Sequence, residues 1–138
     1  NKQIAMPHFG QDIFFAAEKA GDKPAKYQDS LIELKDTKKE TLAIFSDNQV
    51  DVLVGLTRGP AWEIDYAGGD SEAIKRAKSF GNGGYAAISG LPHITIPAYQ
   101  IDGYPVGVSV IGRPWEDLLV LQVAAVLETF FRGRFPKS

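Results

Sequence analysis

The spacing of apolar and polar positions changes several times along the 138-residue chain, and each change marks an element. From Gln11 to Ala20, apolar or small residues fall at Ile13, Phe14, Ala17 and Ala20, a helical spacing, and Gly21 follows as a stop signal. Pro24 suits the first turn of a second helix, predicted from Ala25 to about Asp47. Its inner stripe takes Tyr27, Leu31, Leu34, Leu42 and Phe45, and Glu33, Lys35, Asp36, Lys38, Lys39 and Glu40 supply a solvated outer face. The apolar run Val50–Val54 predicts a buried strand. A helix leading into it suggests parallel pairing with something upstream.

Between Gly55 and Gly69, glycine and proline break the pattern. Ser71 to about Ala77 reads as a short helix capped by Asp70 or Ser71, and Gly81-Asn82-Gly83-Gly84 forces a loop. His93 to Tyr99 is a strand in which Pro97, lacking a ladder donor, must sit at an end, an edge or a bulge. Asp102-Gly103 signals a hairpin turn, because two-residue turns need positive φ. Tyr104 to Gly112 returns as a strand with Val106, Val108 and Val110 on one face and Gly107, Ser109 and Ile111 on the other. The small Gly107 and Ser109 imply close packing there. Pro114 to Arg132 is a closing helix with a stripe of Leu119, Val123, Val126, Leu127 and Phe130. Tyr104, Trp115, Phe130 and Phe131 read as core or interface aromatics. The expected fold is α/β: a mixed β-sheet (strand 50–54, hairpin 93–99/104–112) flanked by long helices at 11–20, 25–47 and 114–132.

Composition narrows the functional classes. A net charge of −2 carries no footprint for nucleic acid or an anionic membrane surface. The absence of cysteine excludes disulfides and thiolate metal sites. His8 and His93 are far apart in sequence and have no ligand spacing, so neither a metal nor a cofactor is expected. No apolar run reaches the length of a membrane span and no signal peptide opens the chain, which fits a cytoplasmic protein.

Three patches, in order, resemble the amidase signature family, in its C-terminal part. The first is Met6-Pro7-His8-Phe9-Gly10-Gln11-Asp12-Ile13-Phe14. The second is Val50-Asp51-Val52-Leu53-Val54 with Leu56-Thr57-Arg58-Gly59-Pro60-Ala61-Trp62 and Ile64-Asp65. The third runs from Ser89 to Glu128 and contains Gly90-Leu91-Pro92 and Asp102-Gly103-Tyr104-Pro105-Val106-Gly107. Leu56, Ala87 and Tyr99 depart from the proline, asparagine and glycine common in the family.

The resemblance implies hydrolysis of a carboxamide C–N bond by a serine nucleophile. A second serine, held by a cis peptide bond, relays the proton to a buried lysine, and backbone N–H groups stabilise the oxyanion. This chain has no adjacent serines, and none of its lysines can be assigned that role, so no catalytic residue is carried over. The expectation is a single incomplete domain over residues 1–138, the C-terminal segment of an amidase and inactive alone. It would supply scaffold and part of a pocket wall for a small amide substrate. Ligands of α/β sheets bind beyond the carboxyl ends of strands, which makes Thr57, Arg58, Trp62 and Asn82 the substrate-pocket candidates. The expected partner is the missing N-terminal portion of the same enzyme, with homo-oligomers through exposed edges as a further expectation. Two alternatives stand beside this reading. One is a self-contained, non-catalytic α/β module binding a ligand or partner, and the other is a separate chain that completes an amidase.

Overall fold

The computed structural model describes residues 10–21, 23–77 and 81–132. The elements are α1 (Asp12–Gly21), α2 (Pro24–Asp47), β1 (Val52–Leu56), α3 (Gly69–Arg76), α4 (Gly83–Ser89), β2 (His93–Ile101), β3 (Tyr104–Gly112) and α5 (Asp117–Arg132). The first part of the Met6–Phe14 patch, with His8, lies outside the described residues.

Asp102 and Gly103 adopt φ of 52° and 83°, and this turn folds β2 back onto β3. Strand β3 lies in the middle of a three-stranded sheet of order β1-β3-β2. Both pairings are antiparallel, with Val54 opposite Val110 and Ile94 opposite Val110 from the other side. The sheet expected to be mixed is therefore antiparallel throughout the described residues. A parallel neighbour for β1 requires sequence outside them. Pro97 sits on an edge strand beside a register shift between Pro97 and Tyr99, the environment its missing N–H demands.

Several boundaries differ from the sequence expectation for local reasons. β1 begins two residues late because the Val50 N–H donates to the Phe45 carbonyl, closing α2. It ends later because Gly55 and Leu56 still pair with Ser109 and Val108. α5 starts at Asp117 because Trp115 turns the chain with φ of 69°. α3 starts at Gly69 with Gly68 in the cap position, so Asp70 and Ser71 lie inside the helix and not ahead of it.

Period-two alternation divides the sheet into two faces. Ile96, Val108 and Val110 meet Val120 and Ala124 of α5, with Val123, Leu127 and Phe131 completing the contact. The buried stripe of α5 is therefore rotated from the expected one: Val126 and Phe130 are 71% and 60% exposed. Small Ala124 and branched Val120 let the helix approach the sheet, and apolar side chains are left on its outer side. On the other face Phe45 of α2 and Ala86 of α4 pack with Leu91 and Ile111, backed by Leu42, Val50 and Leu53. Only the end of α2 reaches the sheet, so Tyr27 and Leu34, expected on the inner stripe, are exposed. Arg113 fastens the far end of β3: Nη2 donates to the Val50 carbonyl at 2.7 Å, and the guanidinium lies 5.6 Å from the Phe45 ring centroid.

Two substitutions separate packing from polarity. Phe45→Ala should lower unfolding stability by about 3–5 kcal/mol, because the cavity under α2 cannot refill. The buried Ser89 hydroxyl has no partner among the described residues, so Ser89→Ala should leave stability unchanged or raise it. Urea unfolding of the two variants measures both.

Candidate functional site at the end of strand β1

The ladder between β1 and β3 continues one residue beyond Leu56, where the Thr57 N–H donates to the Gly107 carbonyl at 2.9 Å. This places the Thr57 side chain on the same face as Gly55 and Ser109. The Ser109 hydroxyl donates to Thr57 Oγ1 at 2.9 Å, and the Thr57 hydroxyl donates to Thr95 Oγ1 at 3.3 Å. On its other side Ser109 Oγ is 2.7 Å from His93 Nε2. Four side chains thus form one polar row across three strands. Ser109 is fully buried, Thr57 half-buried, and His93 and Thr95 exposed.

Register explains the row. Thr95 lies opposite Ser109 and His93 opposite Ile111, so both β2 side chains share the face that Ser109 occupies. Gly107 makes room: a Cβ there would stand 2.5 Å from Thr95 Cγ2 and 3.2 Å from Thr57 Oγ1. The close packing expected at Gly107 and Ser109 is this threonine pair.

The four sequence candidates fall in one neighbourhood but do different things. Asn82 latches the strand end: its N–H and its side-chain Nδ2 both donate to the Leu56 carbonyl, at 3.1 and 3.2 Å. Gly81 lies against the backbone of Thr57 and Arg58, where a side chain would not fit. The Arg58 guanidinium covers the Trp62 ring at 4.7 Å. Trp62 borders an open cavity of 790 Å³ with Pro60, Asp65, Arg76 and Ile101. The structure therefore holds Asn82 on the Leu56 carbonyl, next to Thr57 and Arg58 in the chain, and joins Trp62 to Arg58. Sequence reasoning missed Ser109, Thr95 and His93 as partners of Thr57. Small residues facing a threonine across the predicted hairpin were the available signal.

Asp65 organises the loop that carries Trp62. One carboxylate oxygen accepts from the Ala67 and Gly68 N–H groups at 3.0 and 2.7 Å, and the other accepts from Arg76 Nη2 at 2.5 Å. The Gly68 N–H bond and then Arg76 hold the Asp65 carboxyl below its ordinary value, and the same contact raises Arg76. Among the described residues no group of three or more His, Cys, Asp or Glu side chains could hold a metal ion. No described helix is long and apolar enough to cross a membrane.

The sheet, its flanking helices and this strand end are similar to one part of much longer amidases. The crystal structure of PAM12A matches 95% of this chain and 26% of its own, at 28% identity and a TM-score of 0.74. The native peptide amidase of Stenotrophomonas maltophilia matches 78% of this chain and 21% of its own, at 27% identity and a TM-score of 0.59. Among curated proteins, the A subunit of glutamyl-tRNA(Gln) amidotransferase from Saccharophagus degradans is 33% identical over 93 residues, 67% of this chain and 18% of that protein. The fatty acid amide hydrolase of Medicago truncatula is 48% identical over 44 residues, 31% of this chain and 7% of that protein. No family model matches the chain. These relatives are amidase signature proteins, and the chain belongs to the amidase signature family. It spans less than a fifth of the length of these two curated relatives.

The tight fit at Gly107 and the charge at Asp65 can each be tested. Gly107→Ala should cost about 1–3 kcal/mol in thermal or urea unfolding, since the added methyl must displace Thr95. Asp65 has a lowered folded value, so its contribution to loop order is present above the ordinary carboxylate range and is lost as pH falls through the folded value. Trp62 fluorescence should therefore shift on acidification below about pH 4, and the shift should vanish in Asp65→Asn.

Proposed function

We propose that this chain is the C-terminal segment of an amidase that hydrolyses a carboxamide C–N bond. Its serine nucleophile, relaying serine and lysine base come from sequence outside these residues. The observation that carries the reading is the similarity to amidases over most of the chain, combined with the absence, among the described residues, of any lysine ammonium hydrogen-bonded to a serine hydroxyl. The segment contributes scaffold and a stretch of pocket wall around Thr57, Arg58, Trp62 and Asn82. The substrate class is a small molecule or peptide bearing a carboxamide, and the setting is the cytoplasm.

The surface supports a larger assembly. β1 is an edge strand, and along it a cavity of 260 Å³ is lined by Ile44, Val54, Gly55, Asn82 and Tyr85. This edge is where a further strand from the rest of the polypeptide adds. The outer side of α5 presents Leu118, Leu121, Val126 and Phe130 to solvent, and Trp115 is 95% exposed. A self-contained binding module would have little reason to leave so much apolar surface uncovered.

The complete polypeptide should release ammonia from simple carboxamides or C-terminally amidated peptides, and the 138-residue chain alone should release none. Turnover by the purified chain alone would contradict the proposal. The isolated chain should also self-associate through the open faces, which sedimentation velocity would detect; a clean monomer would argue for the self-contained module.

A further inference from the structure

The polar row begins where the apolar cover of the sheet stops. On the same face Leu53 and Ile111 are packed with Phe45, Ala86 and Leu91, but the next positions along the strands are Gly55, Ser109 and Thr95. A hydroxyl has one proton to give and lone pairs with which to accept. The fully buried Ser109 hydroxyl has two side-chain partners, His93 Nε2 at 2.7 Å and Thr57 Oγ1 at 2.9 Å. If it gives its proton to Thr57, it must receive one from His93 Nε2. Thr57 then gives its own proton to Thr95, and the Thr95 proton is free for something outside the row. The reverse order turns the Thr95 proton inward and needs the imidazole proton on Nδ1. Among the described residues nothing accepts a hydrogen bond from Nδ1 to hold it there.

We propose that His93 and Ser109 are positioning residues that set the polarity of the Thr57–Thr95 hydroxyl pair, so that exposed Thr95 offers a hydrogen bond to an amide carbonyl oxygen of the substrate. This inference rests on the reading of the chain as part of a carboxamide hydrolase. The proton on one imidazole nitrogen fixes the direction of three successive hydrogen bonds. The outermost hydroxyl is then pre-set as a donor before any ligand arrives, which lowers the ordering cost of binding. Gly107 is part of the device, because any side chain there would separate the two threonines.

Two measurements on the complete polypeptide test the inference. The first is the imidazole nitrogen spectrum of 15N-labelled protein with the ring neutral. Nε2–H at His93 is expected, and a proton on Nδ1 would overturn the relay. The second is steady-state kinetics on a carboxamide. Ser109→Ala and Thr57→Val should each raise KM roughly three- to ten-fold, the worth of one neutral hydrogen bond, with kcat within about two-fold. Thr57→Ser, which keeps the hydroxyl, should restore KM. Unchanged KM in Ser109→Ala, or failure of Thr57→Ser to rescue, would overturn the assignment. If the unsubstituted enzyme hydrolyses no carboxamide, the proposed function falls and takes the carbonyl ligand with it, while the imidazole spectrum still decides the direction of the relay.

Discussion

Strand β3 is hydrogen-bonded on both edges and packed on both faces, and the other features of the molecule are arranged around that constraint. Its two faces carry opposite chemistry. Val108 and Val110 form an apolar ridge under α5, while Gly107 and Ser109, one residue out of phase, open a polar line between the flanking strands. A slip of one residue in the hairpin would place the valines in the polar row and Ser109 under the helix. The Asp102-Gly103 turn and the register shift between Pro97 and Tyr99 together prevent this slip by fixing which residue of β2 faces which residue of β3. Register and site geometry are therefore the same fact seen at two scales.

Much of the fold is legible in the sequence because its signals are local. The hairpin, the restriction of Pro97 to an end, an edge or a bulge, and the three long helices follow from turn residues and period. The antiparallel pairing of β1 is not legible, since nothing local in Val52–Leu56 states which neighbour it will take. The rotation of the α5 stripe escapes for a related reason. The helix is apolar on several sides, and the sheet selects the side bearing Val120 and Ala124 by fit and not by hydrophobicity. At the site, Thr57 can be singled out from its place after a strand. Its partners cannot, because Ser109 and Thr95 meet it only through the register of two strand pairs.

The site also shows how one residue type changes meaning with position. In sequence Asn82 reads as a ligand-facing amide in a glycine-rich loop, yet its nitrogen atoms hold the Leu56 carbonyl, a group that points away from β3. That carbonyl marks the outer edge of the sheet, so Asn82 closes the last position of an otherwise open strand. The amidase relatives, several times longer than the stretches they share with this chain, supply a reason for an open edge beside a built polar row. A sheet that continues past β1 would cover the edge beside Thr57, the half-buried end of the row.

Hydrogen exchange at β1 tests this account most directly. The Thr57 N–H faces β3, so by alternation the Val54 and Leu56 N–H groups point outward. In the 138-residue chain alone these two amides should exchange rapidly while those of β3 exchange slowly, and in the complete polypeptide both sets should be slow. Slow exchange of Val54 and Leu56 in the chain alone would mean the edge is already sealed, and would contradict the view that this sheet is built to be continued.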